Sequence, residues 1–119
     1  MAIRVVVVDD HPMLLDSLVR VLEAESDIEV VGTATSVDSG IDATHHHHPD
    51  VIVLDHGLRA SDGGEGSTCL LDAWPEATII VLTAPNADET APPLAAEHTL
   101  DKTLAIDELA ASIRAAASA

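Results

Sequence analysis

Four consecutive valines, Val5 to Val8, run straight into two adjacent aspartates, Asp9 and Asp10. β-Branched side chains favour extended backbone, and a strand with no polar alternation has to be covered on both faces. Such a strand belongs at the centre of a parallel sheet sandwiched by helices, and this one ends in carboxylates. The following residues repeat the theme. Pro12 stands at a first helical position, and Leu14, Leu15, Leu18, Val21 and Leu22 recur at helical spacing. Ile28 to Val31 reads as a second strand, Ser36 to about Thr44 as a second helix, and Val51 to Leu54 as a third strand ending at Asp55. Gly63, Gly64 and Gly66 form a flexible lead into a third helix over Thr68 to Trp74, which Pro75 stops. Thr78 to Leu82 is a fourth strand ending at Thr83. A short apolar stretch around Leu100 precedes Lys102, and Ala105 to Ala117 reads as a closing helix with Asp107 and Glu108 early, where the helix dipole favours them. Pro92-Pro93 breaks any long helix between Thr83 and Leu100, so the fourth helix of the alternation is expected to be short or irregular.

Strands alternating with helices of this length imply parallel pairing, right-handed crossovers and an α/β sheet with helices on both faces. The 119 residues, 47% of them hydrophobic, suffice for one such core and are too few for two. A single domain over residues 1–119 is therefore expected, with no output domain in this chain. No aliphatic block approaches the roughly 18 residues of a membrane span. The N-terminus opens in a strand and lacks the zones of a secretory signal, which places the chain in the cytoplasm. The formal charge of −16 repels phosphate backbones and anionic lipid, so direct nucleic-acid or membrane contact is not expected. Cys69 is the only cysteine, which excludes an internal disulfide and suggests a small core filler.

In a doubly covered parallel sheet, function gathers at the carboxyl ends of the strands. Asp9, Asp10, Asp55 and Thr83 each follow a buried run and should meet there. Two carboxylates about 5 Å apart repel by about 3 kcal/mol at an effective dielectric of about 20, so the cluster calls for a cation. Oxygen ligands favour Mg²⁺ over zinc, which would look for cysteine or several histidines. Lys102 could bring an ammonium to the same edge and Thr83 a hydroxyl. Carboxylates, metal, hydroxyl and ammonium together suit phosphoryl transfer, with an aspartate as nucleophile.

At these residues the sequence resembles the response-regulator receiver family of two-component systems. The family pattern is an acidic pair after the first strand, a phospho-accepting Asp after the third, a Thr or Ser after the fourth and a Lys after the fifth. Here it reads Val8-Asp9-Asp10-His11-Pro12, Val53-Leu54-Asp55, Leu82-Thr83-Ala84 and Asp101-Lys102-Thr103. The Asp-Asp-His-Pro start and the segment Asp27-Ile28-Glu29-Val30-Val31-Gly32 look like the NarL-type (LuxR-like) branch, whose members usually carry a C-terminal DNA-binding domain. The resemblance implies a flavodoxin-like five-stranded parallel sheet. It further implies that Asp55 accepts a phosphoryl group from a sensor histidine kinase, and that Asp10, Asp55 and the Gly57 carbonyl bind Mg²⁺ directly while Asp9 acts largely through a metal-bound water. Thr83 and Lys102 would hold the phosphoryl oxygens, and Ala84 would leave room for the donor. Such a domain is a signalling module that catalyses only its own phosphorylation and dephosphorylation, with control of transcription as the implied output. A homodimer is left open.

The chain departs from the family pattern at three places. Leu58-Arg59 replaces the usual Met-Pro ahead of Asp62-Gly63, which suggests a looser loop. Thr99 stands where an aromatic side chain is usual, and the span from Thr83 to Lys102 is short by roughly one helical turn. These departures keep a phosphorylation-independent interaction module as the alternative. A small phospho-aspartate phosphatase is weaker, because such enzymes usually have one residue between their two acids and carry a cap domain, whereas Asp9 and Asp10 are adjacent and the chain is short. His45 to His48 read as a solvated helix end in preference to a metal site. His11 and His56 border the acidic edge, Arg59 either contacts an incoming phosphodonor or simply offsets nearby carboxylates, and Trp74 reads as an anchor at a helix end.

Overall fold

The computed structural model describes residues 2–83, 98–101 and 105–117. Its elements run β1 (Ile3–Val8), α1 (Pro12–Glu23), β2 (Ile28–Ala34), α2 (Val37–His47), β3 (Val51–Asp55), α3 (Gly66–Ala73), β4 (Thr78–Thr83), β5 (His98–Asp101) and α4 (Ala105–Ala117). The strands form one sheet of five in the order β2-β1-β3-β4-β5, and every pairing is parallel. This is the flavodoxin-like arrangement, with the reversal of strand order falling between β1 and β3. The segment holding Pro92-Pro93, where a short or irregular helix was expected, lies outside the described residues, as does Lys102.

The valine run behaves as its composition demands. Val5 and Val7 join Val51, Val53, Ile80 and Leu82 on one face, under Leu15, Leu18 and Leu22 of α1 and Leu109, Ile113 and Ala116 of α4. Val6 and Val8 join Ile52, Leu54, Ile79 and Val81 on the other, with Leu70 of α3 and Ile41 and Ala43 of α2 packed against them. All four valines are fully buried. Burying one such side chain contributes about 1.5–3 kcal/mol, which is why the fully covered positions Val5 to Val8 hold no polar residue.

Element ends differ from the sequence reading where a tertiary contact decides them. β2 continues past Val31 because β1 keeps pairing with it as far as Val8↔Ala34, across an irregularity at Val5/Val6 that absorbs one extra residue. α2 runs on to His47, whose carbonyl accepts a hydrogen bond from Arg4 at 2.6 Å. Its end is closed by His48 in the left-handed region at φ 49°, with the His48 N–H donating to the Thr44 carbonyl. α4 is tied to the turn after α1 by Arg114, which donates to both carboxylate oxygens of Asp27 at 2.7 and 2.9 Å and to Glu25 at 2.9 Å. The Arg114 guanidinium holds the Asp27 carboxyl below the usual carboxylate range.

Candidate functional site

Sheet register brings the acidic residues together. Val8 pairs with Leu54, so the next residue on each strand, Asp9 and Asp55, emerges side by side at the carboxyl edge. Side chains alternate along a strand, so Asp9 follows Val5 and Val7, and Asp55 follows Val51 and Val53, towards the same face of the sheet. Asp9 is wholly buried and Asp55 is 4% exposed, which sets both at the floor of the site. The Asp10 side chain is 50% exposed and forms its open side. One potential ligand atom from each of Asp9, Asp10, His11 and Asp55 lies within 4.8 Å of the others, so among the described residues these four form a group with the spacing to hold a metal ion.

Within it, Asp9 Oδ1 accepts the His11 backbone N–H at 2.8 Å, which holds the carboxylate at the entrance to α1. Asp9 Oδ2 is buried and has no hydrogen-bond partner. An orphaned carboxylate oxygen costs several kcal/mol unless it is compensated, and a cation among these oxygens compensates it. The donor set therefore fits a hard dication such as Mg²⁺. His11 was expected only to border this edge. Instead its Nδ1 stands 2.9 Å from Asp10 Oδ1, 3.2 Å from Asp9 Oδ1 and 3.6 Å from Asp55 Oδ2. His11 is the N-cap of α1, and an extended residue there turns its ring back across the strand edge. The sequence signal was its position one residue after the acidic pair.

The loop after β3 carries Gly57 at φ +87°, a left-handed conformation natural to glycine, beside the edge that Asp55 ends. The loop expected to be looser at Leu58-Arg59 is held at several points. Leu58 packs against the α2/α3 face, Arg59 pairs with Glu65 in an antiparallel bridge, and the Ser61 N–H donates to Asp38 at 3.2 Å. α3 starts two residues earlier than Thr68 because Glu65 caps it, accepting the N–H groups of Ser67 at 3.0 Å and Thr68 at 2.9 Å. Burial raises the Glu65 carboxyl, and the hydrogen bonds from Ser67 and Thr68 outweigh that and hold it below the ordinary glutamate range.

Replacing Glu65 with Ala is expected to cost about 1 kcal/mol at neutral pH, as for other side-chain caps. Because the folded carboxyl titrates below its unfolded value, this contribution is complete above the ordinary glutamate pKa and fades as pH falls through the lower folded value. Urea unfolding of wild type and variant at neutral and acid pH checks both points. A stability gap that grows on acidification contradicts them.

Thr83 is the last residue of β4, paired with Asp101 of β5, so its backbone reaches the same strand edge; its side chain, Ala84 and Lys102 lie outside the described residues. His56, next to Asp55, donates its N–H to the Leu82 carbonyl and keeps a buried Nδ1 without a partner. Trp74 anchors a helix end as expected. Its Nε1 donates to the Pro49 carbonyl at 3.1 Å and its ring stacks on His48, with centroids 4.3 Å apart. The histidine tract thus closes α2 against Trp74. Cys69 is half-buried and does not lie in the core, and burial together with Asp62 and Asp72 pushes its thiol pKa up.

A parallel sheet in this order, with an acidic cluster at the strand ends beside its switch point, defines a receiver-type signalling domain. Residues 5–114 match the model of the response regulator receiver domain, and the chain belongs to that family. It is 36% identical over 117 residues to the transcriptional regulatory protein LiaR of Bacillus subtilis, covering 96% of this chain and 56% of LiaR. It is also 36% identical over 84 residues to the response regulator protein VraR of Staphylococcus aureus, covering 71% of this chain and 40% of VraR. Both belong to the NarL/LuxR branch that the Asp-Asp-His-Pro start resembles. The chain spans about half the length of these curated relatives. The response regulator domain of Thermotoga maritima CheB superposes with a TM-score of 0.82 over 100% of this chain and 98% of that one, at 21% identity, a likeness of fold. Among the described residues no helix is long and apolar enough to cross a membrane.

Proposed function

We propose that residues 1–119 act as a phospho-acceptor receiver domain in the cytoplasm, in which Asp55 takes a phosphoryl group from a sensor histidine kinase. The observation that carries this reading is the buried pair Asp9 and Asp55 at one strand edge, with an orphaned oxygen on Asp9 and Asp10 completing the cluster. In the transfer, an Asp55 carboxylate oxygen attacks the phosphorus, the bond to the donor nitrogen breaks, and the imidazole of the kinase leaves. Asp9, Asp10, Asp55 and the Gly57 carbonyl would hold Mg²⁺, Asp9 largely through a metal-bound water. When bound, the ion supplies the positive charge that offsets both the clustered carboxylates and the phosphoryl oxygens. Thr83 donates a hydrogen bond to those oxygens and Lys102 pairs with them. The output is transcriptional control through a DNA-binding domain outside these residues, by analogy with the regulators it resembles.

Incubation with acetyl phosphate and Mg²⁺ tests the reading. One base-labile phosphoryl group per chain is expected by intact-mass measurement, and none when a chelator replaces Mg²⁺. A folded protein that takes up no phosphoryl group under these conditions is an interaction module that works without phosphorylation.

A further inference from the structure

The His11 ring has a role beyond bordering the site. Donors bound to a dication at about 2.0–2.2 Å stand about 3 Å apart around it. Nδ1 of His11 meets that spacing against three separate carboxylates, at 2.9 Å from Asp10, 3.2 Å from Asp9 and 3.6 Å from Asp55. The wholly buried Asp9, whose Oδ2 has no partner, belongs to the same cluster. Without an ion the ring donates a hydrogen bond to the carboxylates. With its proton on Nε2 it presents an Nδ1 lone pair to the point they surround.

We propose that His11 is a fourth, nitrogen ligand of this site, which raises its preference for a borderline transition-metal dication such as Co²⁺ or Zn²⁺ over Mg²⁺ beyond the intrinsic order of the metals. The inference rests on the acidic cluster being the metal site of the reading above. Mg²⁺ takes oxygen ligands and keeps water where imidazole is offered, so His11 adds little to its binding. The later first-row dications gain from an imidazole, following the order of ligand softness. An ordinary acidic site of three carboxylates has no such discrimination beyond the intrinsic order of the metals.

Titration calorimetry with Co²⁺ and with Mg²⁺, on wild type, His11→Asn and Asp10→Asn, tests this, together with the visible absorption of the Co²⁺ complex. Asparagine is a better N-cap than histidine, so folding of the first variant is not at stake. In His11→Asn, Co²⁺ affinity is expected to fall by about tenfold or more, Mg²⁺ affinity by less than about threefold, and the Co²⁺ band to shift as a nitrogen donor is lost. Asp10→Asn should weaken the binding of both ions at this site and leave any binding by His45 to His48 in place. Equal losses for Co²⁺ and Mg²⁺ in His11→Asn, an unchanged Co²⁺ affinity, or Co²⁺ binding wholly indifferent to Asp10→Asn each overturn the proposal. Absence of any Asp10-dependent Mg²⁺ binding in wild type overturns the Mg²⁺ reading instead, because the Co²⁺ comparison is still measurable.

Discussion

Asp10→Asn is expected to weaken Mg²⁺ binding by about tenfold or more, while Asp62→Asn leaves it unchanged. The two acids differ in what already surrounds them. Asp10 stands at the open side of the cluster, within 4.8 Å of the ligand atoms of Asp9, His11 and Asp55. Asp62 lies on the exposed loop, where its Oδ1 accepts the Gly64 N–H at 2.8 Å. Losing the Asp10 charge removes a ligand, whereas losing the Asp62 charge keeps a turn that asparagine closes equally well. The same cluster makes stability depend on the ion. A ligand bound only by the folded state adds about 2.7 kcal/mol at a hundredfold excess over its Kd and about 1.4 kcal/mol where the Kd is tenfold weaker, so the unfolding midpoint should rise with Mg²⁺ in wild type and by about half as much or less in Asp10→Asn. A midpoint indifferent to millimolar Mg²⁺ in wild type contradicts the metal assignment.

Gly66→Ala is expected to destabilise the domain by about 2 kcal/mol, although alanine is the better helix former. Gly66 is buried at the first position of α3, and a Cβ there would stand 2.7 Å from the Leu58 carbonyl oxygen, 3.2 Å from Val37 Cγ2 and 3.3 Å from Leu54 Cδ2. The closest of these is backbone, belonging to the same loop that carries Gly57, and the Gly66 N–H donates to that carbonyl at 3.2 Å. Relief of the clash requires moving the loop, and the helical gain of about 1 kcal/mol does not offset it. Gly64→Ala is the informative comparison. Its Cβ would meet the Cys69 sulfur at 2.8 Å and Asp62 Oδ1 at 3.0 Å, both side-chain atoms that can rotate away. Urea unfolding should rank Gly66→Ala well below Gly64→Ala, and equal stability of Gly66→Ala and wild type contradicts the packing argument.

These two glycines also show where the sequence stopped being readable. Gly63, Gly64 and Gly66 look alike as a flexible lead, because nothing in their spacing says that Gly66 is pressed against Leu58 and held open by no freedom of its own. The strands were readable, since Val5 to Val8 and Val51 to Leu54 have only one way to bury every side chain, and the parallel register then delivers Asp9 beside Asp55. The start of α3 was less so. Asp, Asn, Ser and Thr announce an N-cap, but the longer Glu65 does so only because Ser67 and Thr68 bring both N–H and hydroxyl groups to its carboxylate. His11 was visible as a neighbour of the acidic pair. Its placement across three carboxylates depends on the angle at which α1 leaves β1, which no local pattern encodes.

The proposed transfer needs one oxygen nucleophile, and the Asp55→Asn variant tests it most directly. Intact-mass measurement after acetyl phosphate and Mg²⁺ should find one added phosphoryl group on wild type and none on Asp55→Asn, with the variant still folded. Persistence of the modification in Asp55→Asn would contradict the assignment of Asp55 as the acceptor.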